Sequence, residues 1–454
     1  MSERAELAAP FYGSDRPAAA QREAFRNGEF PVAVYGLGKM GLPIAAVWGE
    51  VTGAVTGVDV DESVVDTINE GGCHVQNEPG LADAVADLVD AGSLTATTDS
   101  VQAAKDARIH VVIVPTLITE DDHPDTSVVT SVARDIARGL SPGDLVCIES
   151  TLPPRTCRDV LGPLLRYESG LDADDFGLAF CPERTSSGRA LHDVRGGHPK
   201  VVGGIDDEST RAATLAYEEL TSNEVIPVSD TTTAEAVKVF EGLYRDVNIA
   251  LANELARFTE ELEIDVREAI HVANTQPFCD IHDPGPGVGG HCIPYYPYFV
   301  LNWLETPAPL LATAREVNDA TPGHIVGLLE GKLDGHGKAL SGSAVVVLGL
   351  TYRAGVAETR ASPAIDICRT LDARGATVYA SDPMVDCEGV PATWVHPDEV
   401  GSIDADAVIL ATDHEEFEAL DWASVPRSAV VIDTRDVLDE DRIGRDVYVV
   451  GRGD

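Results

Sequence analysis

Val32-Ala-Val-Tyr35 runs directly into Gly36-Leu-Gly38-Lys39-Met40-Gly41, and a helical pattern follows. An apolar strand, a GxGxxG turn and a helix in that order leave the chain few ways to fold. Gly36 makes the tight turn, Gly38 lets the backbone approach a pyrophosphate, and Gly41 lets helix and strand pack closely. The free amides at the helix start then hold the phosphates. Asp59 ends the next expected strand, in Gly57-Val-Asp59. A carboxylate there accepts hydrogen bonds from a ribose 2′-hydroxyl and repels a 2′-phosphate, which favours NAD over NADP. The bland alternative, a glycine turn in an unrelated α/β protein, leaves the acid and the helix in register unexplained.

Short apolar strands then alternate with helical stretches: Val32–Tyr35, Ala54–Asp59, Ile109–Pro115, Leu145–Glu149, Gly177–Cys181, Val201–Gly203 and Glu224–Val228. This alternation predicts a parallel sheet with helices on both faces. From Thr232 the pattern becomes one long helix to about Leu262, then another from Val266. Strands resume at Ala344–Leu348, Thr377–Ala380, Ala407–Ala411, Val430–Asp433 and Val447–Val450, after a Gly/Asp-rich linker at Leu333–Ser343. The expected class is α/β, divided into a polar N-terminal extension at 1–30, a Rossmann domain at 31–229, a central helical region at 230–330 and a second Rossmann-like domain at 340–454.

Charge narrows the possible partners. With 33 Lys and Arg against 76 Asp and Glu, the formal charge is −43. Such a field repels nucleic acid and anionic membranes. It also fits a cytoplasm of high salt, where carboxylates stay hydrated while self-repulsion is screened; an acidic mesophilic protein is the alternative. The eight cysteines form no CxxC pair, so neither a zinc knuckle nor a disulfide framework is indicated, and no metal is expected. Residues 1–30 have no apolar core of signal-peptide length, and no apolar run is long enough to span a bilayer. A cytoplasmic protein is expected.

The densest unusual stretch is Pro284-Gly-Pro-Gly287-Val-Gly289-Gly290-His-Cys292-Ile-Pro-Tyr-Tyr296-Pro. So many Gly and Pro residues suit neither helix nor strand interior. They imply close backbone approach, with a cysteine at the edge. A lone cysteine is usually a buried packing residue, but packing does not need a glycine cradle. Beside a dinucleotide site, a thiolate adds to an aldehyde, and the thiohemiacetal loses a hydride to give a thioester. Lys238, Gly242, Arg245 and Ile249 fall on one face of the long helix. Lysine is scarce in this chain, yet Lys238 sits in an apolar AVKVF context; a snorkelling surface lysine is the plain alternative.

Together the segments YGLGKMGLP, VPTLI, ESTLPP, FCPERTSSGRAL, KVFEGLYRDVNIALANELA, GPGVGGHCIP and VLGLTYRAGVAETRASPA resemble the UDP-glucose/GDP-mannose dehydrogenase family, and within it the UDP-N-acetyl-D-mannosamine dehydrogenase branch. The resemblance covers residues 31–454. It implies an N-terminal NAD domain, a central dimerisation region and a C-terminal UDP-binding domain. It also implies four-electron oxidation of a sugar C6 alcohol to a carboxylate with two NAD. By the same resemblance, Cys292 is the nucleophile, Lys238 stabilises oxyanions, Glu183 works with the hydrolytic water, and Thr151 stands at the water and nicotinamide side. Lys39, Met40, Pro115 and Thr116 join Gly36, Gly38, Gly41 and Asp59 as cofactor contacts. Arg184, Arg245, Asn248, Gly287, Gly289, Gly290, Arg353 and Arg360 are implied at the nucleotide sugar, with Arg360 reaching a partner subunit's site. A homodimer or a larger homo-oligomer follows.

Two positions depart from the family pattern. Gly242 replaces the usual asparagine after the lysine, and Tyr296 replaces the usual aspartate after the cysteine. Both fall at the chemistry, so an active enzyme with a compensated site stands against a non-catalytic nucleotide-sugar-binding regulator. UDP-glucose and UDP-N-acetylglucosamine remain alternative substrates. A plain alcohol dehydrogenase, releasing one NADH and indifferent to Cys292, is a third reading. The loop Thr412-Asp413-His414 either lines the UDP site or turns the chain.

Overall fold

The strand-to-glycine junction forms as expected: β1 is Val32–Tyr35, and the helix Gly41–Thr52 starts directly after the turn. The computed structural model describes residues 10–185 and 188–453. They fall into two units, the first reaching Phe240 and including Tyr298–Trp303, the second holding Glu241–Pro297 and the chain from Leu304 onward.

In the first unit β2 is Val55–Val58, β3 Leu94–Thr97, β4 Ile109–Val112, β5 Leu117–Ile118, β6 Pro124–Asp125, β7 Leu145–Ile148, β8 Gly177–Phe180, β9 Lys200–Gly204 and β10 Val225–Pro227. Strands β5 and β6 pair as a small hairpin. The other eight form one sheet in the order β10-β9-β8-β7-β4-β1-β2-β3. Its central strands are buried along their whole length, as in sheets covered on both faces. The sheet is not wholly parallel, as the alternation had predicted. β8 meets β9 antiparallel, with Ala179 opposite Gly204. The described connection carries only the short turns Ala190–His192 and Asp193–Gly197 in place of a crossover helix, so the chain comes straight back.

The expected polar extension is also corrected for residues 10–30; residues 1–9 lie outside the described residues. Phe11, Phe25 and Phe30 are fully buried. The Phe11 and Phe30 rings stand 4.9 Å apart, and Phe25 meets Trp48 at 5.8 Å. The helix Ala18–Arg26 fixes Phe11 through the buried Gln21, whose Nε2 donates to the Phe11 carbonyl at 2.7 Å. Three aromatics spread among polar residues anchor this segment without leaving an apolar run.

The long helix is Thr231–Ala256, shorter than expected. The Thr259 hydroxyl takes the Ala256 carbonyl at 2.9 Å, and the short helix Thr259–Leu262 follows. In the second unit the helix Pro309–Gly335 runs into the expected linker. Strands β11 (Ala344–Leu348), β12 (Thr377–Ser381), β13 (Thr393–Trp394), β14 (Ala407–Leu410), β15 (Val430–Asp433) and β16 (Tyr448–Val449) make a parallel sheet in the order β13-β12-β11-β14-β15-β16. Both sheets reverse direction beside their first strand, between β1 and β4 and between β11 and β14. Ligands of open α/β sheets bind at that crevice, outside the carboxyl ends of the strands.

Candidate active site

The turn after β1 is built for close approach. Gly36 has φ +92°, and a side-chain carbon there would lie 2.5 Å from the Ile113 carbonyl oxygen. One on Gly41 would lie 1.8 Å from the Gly36 oxygen. Gly38 has nothing within 4 Å of such a carbon, so its backbone is open to a phosphate. Asp59 is half-buried; its Oδ2 accepts from Leu37 N at 2.8 Å and its Oδ1 from Asp61 N at 3.1 Å. That leaves lone pairs for a ribose diol. Across the crevice, Thr116 Oγ1 is buried without a partner, and Lys39 and Pro115 are exposed. Thr185 Oγ1 donates to Met40 Sδ at 3.1 Å. Open backbone, a poised carboxylate and an orphaned hydroxyl fit a bound NAD.

The corresponding acid of the second unit is closed. Asp382 follows β12 and is 2 % exposed. It accepts from the amides of Leu350 at 2.7 Å, Thr351 at 3.0 Å, Met384 at 2.8 Å and Val385 at 3.2 Å. Thr351 Oγ1 and His414 Nε2 crowd the same carboxylate, 2.7 Å apart. The amides and His414 hold Asp382 below the usual carboxylate range against the opposing effect of burial. So saturated an acid has no room for a ribose, which fits a nucleotide site other than a second NAD site. Thr412 Oγ1 donates to the Thr351 carbonyl at 2.6 Å, so the Thr412–His414 loop belongs to the β11/β14 crevice rather than to a plain surface turn.

At the carboxyl edge of the first sheet, β7 and β8 bring Glu149, Thr151 and Glu183 close in the fold. The Glu183 amide donates to the Glu149 carbonyl at 3.3 Å, and Glu183 Oε1 accepts from Thr185 N at 2.5 Å. Lys238, in the long helix, donates its ammonium to the Glu183 backbone carbonyl. Two implied catalytic residues therefore meet, although they are 55 positions apart. Arg184 Nη1 donates to the Pro199 carbonyl at 3.0 Å.

Beneath them lies a cluster that sequence reasoning missed. Lys200 Nζ stands 2.6 Å from Glu149 Oε2, and Tyr217 OH donates to Glu149 Oε1 at 2.6 Å. Glu149 is 1 % exposed, and burial pushes its carboxyl up despite Lys200. Glu149, Glu183, Arg184, His198, Lys200 and Tyr217 line one small pocket. The scarcity of lysine was the only available signal for Lys200.

Thr151 opens a loop whose far end is strained and pinned. Arg155 has φ +80°, rare for a side-chain-bearing residue. Glu235 holds it there, accepting from Arg155 N at 2.5 Å and from Cys157 N at 2.7 Å. Trp303 Nε1 adds a bond to the Pro154 carbonyl at 2.9 Å. Glu235 is fully buried, and that burial pushes its carboxyl up to about 7. A raised carboxyl favours the neutral fold, so its contribution is complete below the unfolded value near 4.5 and is lost as pH rises through 7. Replacing Glu235 by Gln is expected to raise stability relative to the parent chain between pH 5 and pH 8, by on the order of 3 kcal/mol. Denaturant unfolding at both pH values reads this; a pH-independent difference would contradict it.

In the second unit Cys292 is half-buried at the end of the glycine loop. Part of what the glycines approach is the chain itself. A side-chain carbon on Gly289 would lie 2.8 Å from both the Ala361 carbonyl oxygen and Tyr352 Cβ, and one on Gly287 would lie 3.2 Å from Pro363. The Gly290 amide donates to the Arg360 carbonyl at 2.9 Å, and His291 Nε2 stands 2.7 Å from Glu358. The loop is thus stitched to the segment carrying Arg353 and Arg360, both exposed. Arg245 is exposed as well. Asn248 is spent internally: its Nδ2 donates to the Asp280 carbonyl at 2.6 Å and its Oδ1 accepts from His282 N at 2.9 Å.

Comparison with known proteins identifies the family. Residues 30–221 match the NAD binding domain of the UDP-glucose/GDP-mannose dehydrogenase family, 232–320 its central domain and 346–440 its UDP binding domain. The chain is 34% identical over 428 residues to a UDP-N-acetyl-D-mannosamine dehydrogenase of Pyrococcus horikoshii, covering 93% of this chain and 99% of that one. A solved structure of the Pyrococcus horikoshii enzyme superposes with a TM-score of 0.85, covering 93% of this chain and 100% of that one. An NDP-N-acetyl-D-galactosaminuronic acid dehydrogenase of Ralstonia solanacearum is 35% identical over 425 residues, covering 91% and 97% of the two chains. The order of the three matched domains, the dinucleotide turn and the near full-length likeness lead to one conclusion: the chain belongs to the UDP-glucose/GDP-mannose dehydrogenase family and is an NAD-dependent dehydrogenase.

Proposed function

We propose that the protein oxidises C6 of UDP-N-acetyl-D-mannosamine to the carboxylate, with Cys292 as nucleophile. The observation that carries the reading is the meeting of the Lys238 ammonium with the Glu183 carbonyl beside Glu149 and Thr151. It supports the reading because an oxyanion needs a cation and a hydrolytic water needs a nearby base. Gly36–Gly41, Asp59 and Thr116 would hold NAD, which would supply the hydride acceptor for each of two oxidations. The first oxidation turns the C6 alcohol into an aldehyde, its hydroxyl proton passing to water. The Cys292 thiolate adds to that carbonyl carbon, and Lys238 stabilises the oxygen that becomes negative. Loss of the second hydride leaves a thioester. Water adds to it, Glu183 takes the water's proton, and collapse expels the thiolate and releases the uronate. Arg184, Arg245, Arg353, Arg360 and the backbone of Gly287–Gly290 bind the nucleotide sugar. Asn248 supports the 280–282 loop.

Steady-state NADH production across UDP-glucose and the UDP-N-acetyl derivatives of mannosamine, glucosamine and galactosamine tests the substrate. The highest kcat/KM is expected with the mannosamine; no turnover with any N-acetylhexosamine would sink this reading. A homodimer goes with it. Tyr244, Leu251, Phe258, Leu262, Ile264, Val272 and Phe278 are exposed along the helices and turns of the second unit, an apolar surface that a second copy would cover. Sedimentation equilibrium giving a mass of 48.1 kDa would contradict it.

Among the described residues no helix is long and apolar enough to cross a membrane. The reading places the enzyme in a cytoplasm of high salt. Its ligands are anions, so the scattered arginines and helix amides must act locally against a charge of −43. Screening at molar salt relieves the self-repulsion. The thermal midpoint is expected to rise steadily from dilute buffer to molar potassium chloride, and a flat response would refute the halophilic assignment.

A further inference from the structure

Gly242 lies well inside the helix Thr231–Ala256, at a helical φ rather than a positive one. Glycine weakens a helix interior, and here the backbone conformation gives no reason for it. The neighbour does. A side-chain carbon on Gly242 would lie 2.1 Å from Tyr296 Cδ2, 3.0 Å from its Cγ and 3.1 Å from its Cβ. The edge of the ring at Cδ2 abuts the bare helix backbone, and Tyr296 is 4 % exposed. The atoms in the way are the root of the tyrosine side chain, so a rotation at its tip does not clear them.

The same tyrosine closes the turn that begins at the thiol. The amides of Tyr295 and Tyr296 donate to the Cys292 carbonyl at 3.1 and 3.0 Å. Fixing the ring on the helix therefore fixes one end of a turn whose other end is Cys292. We propose that Gly242 and Tyr296 form a single positioning device for the Cys292 thiol: the ring takes the side-chain space of position 242 and seats the 292–296 turn. The two departures from the family pattern are then one change, because a side chain at 242 and this ring exclude each other. The proposal rests on the reading of Cys292 as nucleophile.

The test is a mutant cycle in the full chain at high salt, with Gly242→Ala, Tyr296→Phe, Tyr296→Ala and the double variant Gly242→Ala/Tyr296→Ala. Iodoacetamide is the probe, and site-resolved mass spectrometry gives the alkylation rate at Cys292. Half-buried Cys387 is the internal reference, and buried Cys147 and Cys368 report any unfolding. Gly242→Ala should shift the Cys292 rate and lower kcat by about tenfold or more when the ring is present. It should change both by less than about twofold when position 296 is alanine, since nothing is left to displace. Tyr296→Phe keeps the ring and should stay within about twofold of the parent. Equal effects of Gly242→Ala in both backgrounds, or Tyr296→Phe as damaging as Tyr296→Ala, would overturn the proposal. The alkylation readout needs no sugar, so a mistaken substrate assignment leaves it interpretable.

Discussion

Replacing Cys292 by serine is expected to end uronate formation, lowering its rate by about a thousandfold or more. The reason is chemical. Sulfur is the stronger nucleophile and a thiol ionises far more readily than an alcohol, which without a base is scarcely reactive. Serine keeps the shape of the glycine-held turn and loses the nucleophile, so the substituted chain should still fold and bind its ligands. Quantifying the sugar acid by chromatography reads the effect. Unchanged acid production would remove Cys292 from the mechanism and favour an enzyme that stops at the aldehyde.

Replacing Glu183 by glutamine should have the second largest effect, at a different step. Both oxidations precede the step in which the water loses its proton. The substituted enzyme should therefore release a burst of about two NADH per site and then slow by about 10²–10⁴-fold. The acyl group should remain on Cys292, where intact-protein mass spectrometry detects it. A normal steady state without an adduct would reassign the hydrolytic base. Glu149 is a neighbouring carboxylate, but it is already committed to Lys200 and Tyr217.

What the amino-acid order made legible was local. Strand, turn, helix and Asp59 lie within one short stretch, and each has a single physical requirement that one residue type meets. The Cys292 loop was visible for the same reason, since glycine and proline at that density exclude regular structure. The missed features are long-range. Phe11, Phe25 and Phe30 are separated by polar residues and become a core only against Trp48. The antiparallel return of β9 depends on a connection too poor in helix for a crossover, which the strand pattern does not show. Lys200 reads as an ordinary charge until β9 places it against Glu149 from β7. Gly242 and Tyr296 each look like the loss of a functional group, and only the structure brings the two into contact.

The four-electron reaction is the claim on which the assigned roles depend, and its stoichiometry tests it most directly. With limiting UDP-N-acetyl-D-mannosamine, excess NAD and the parent chain at high salt, absorbance at the NADH band is read to completion. The account predicts about two NADH per sugar and a quantitative yield of uronate, because the aldehyde stays on the thiol until it is oxidised. One NADH per sugar with free aldehyde, or binding with no NADH at all, would contradict it.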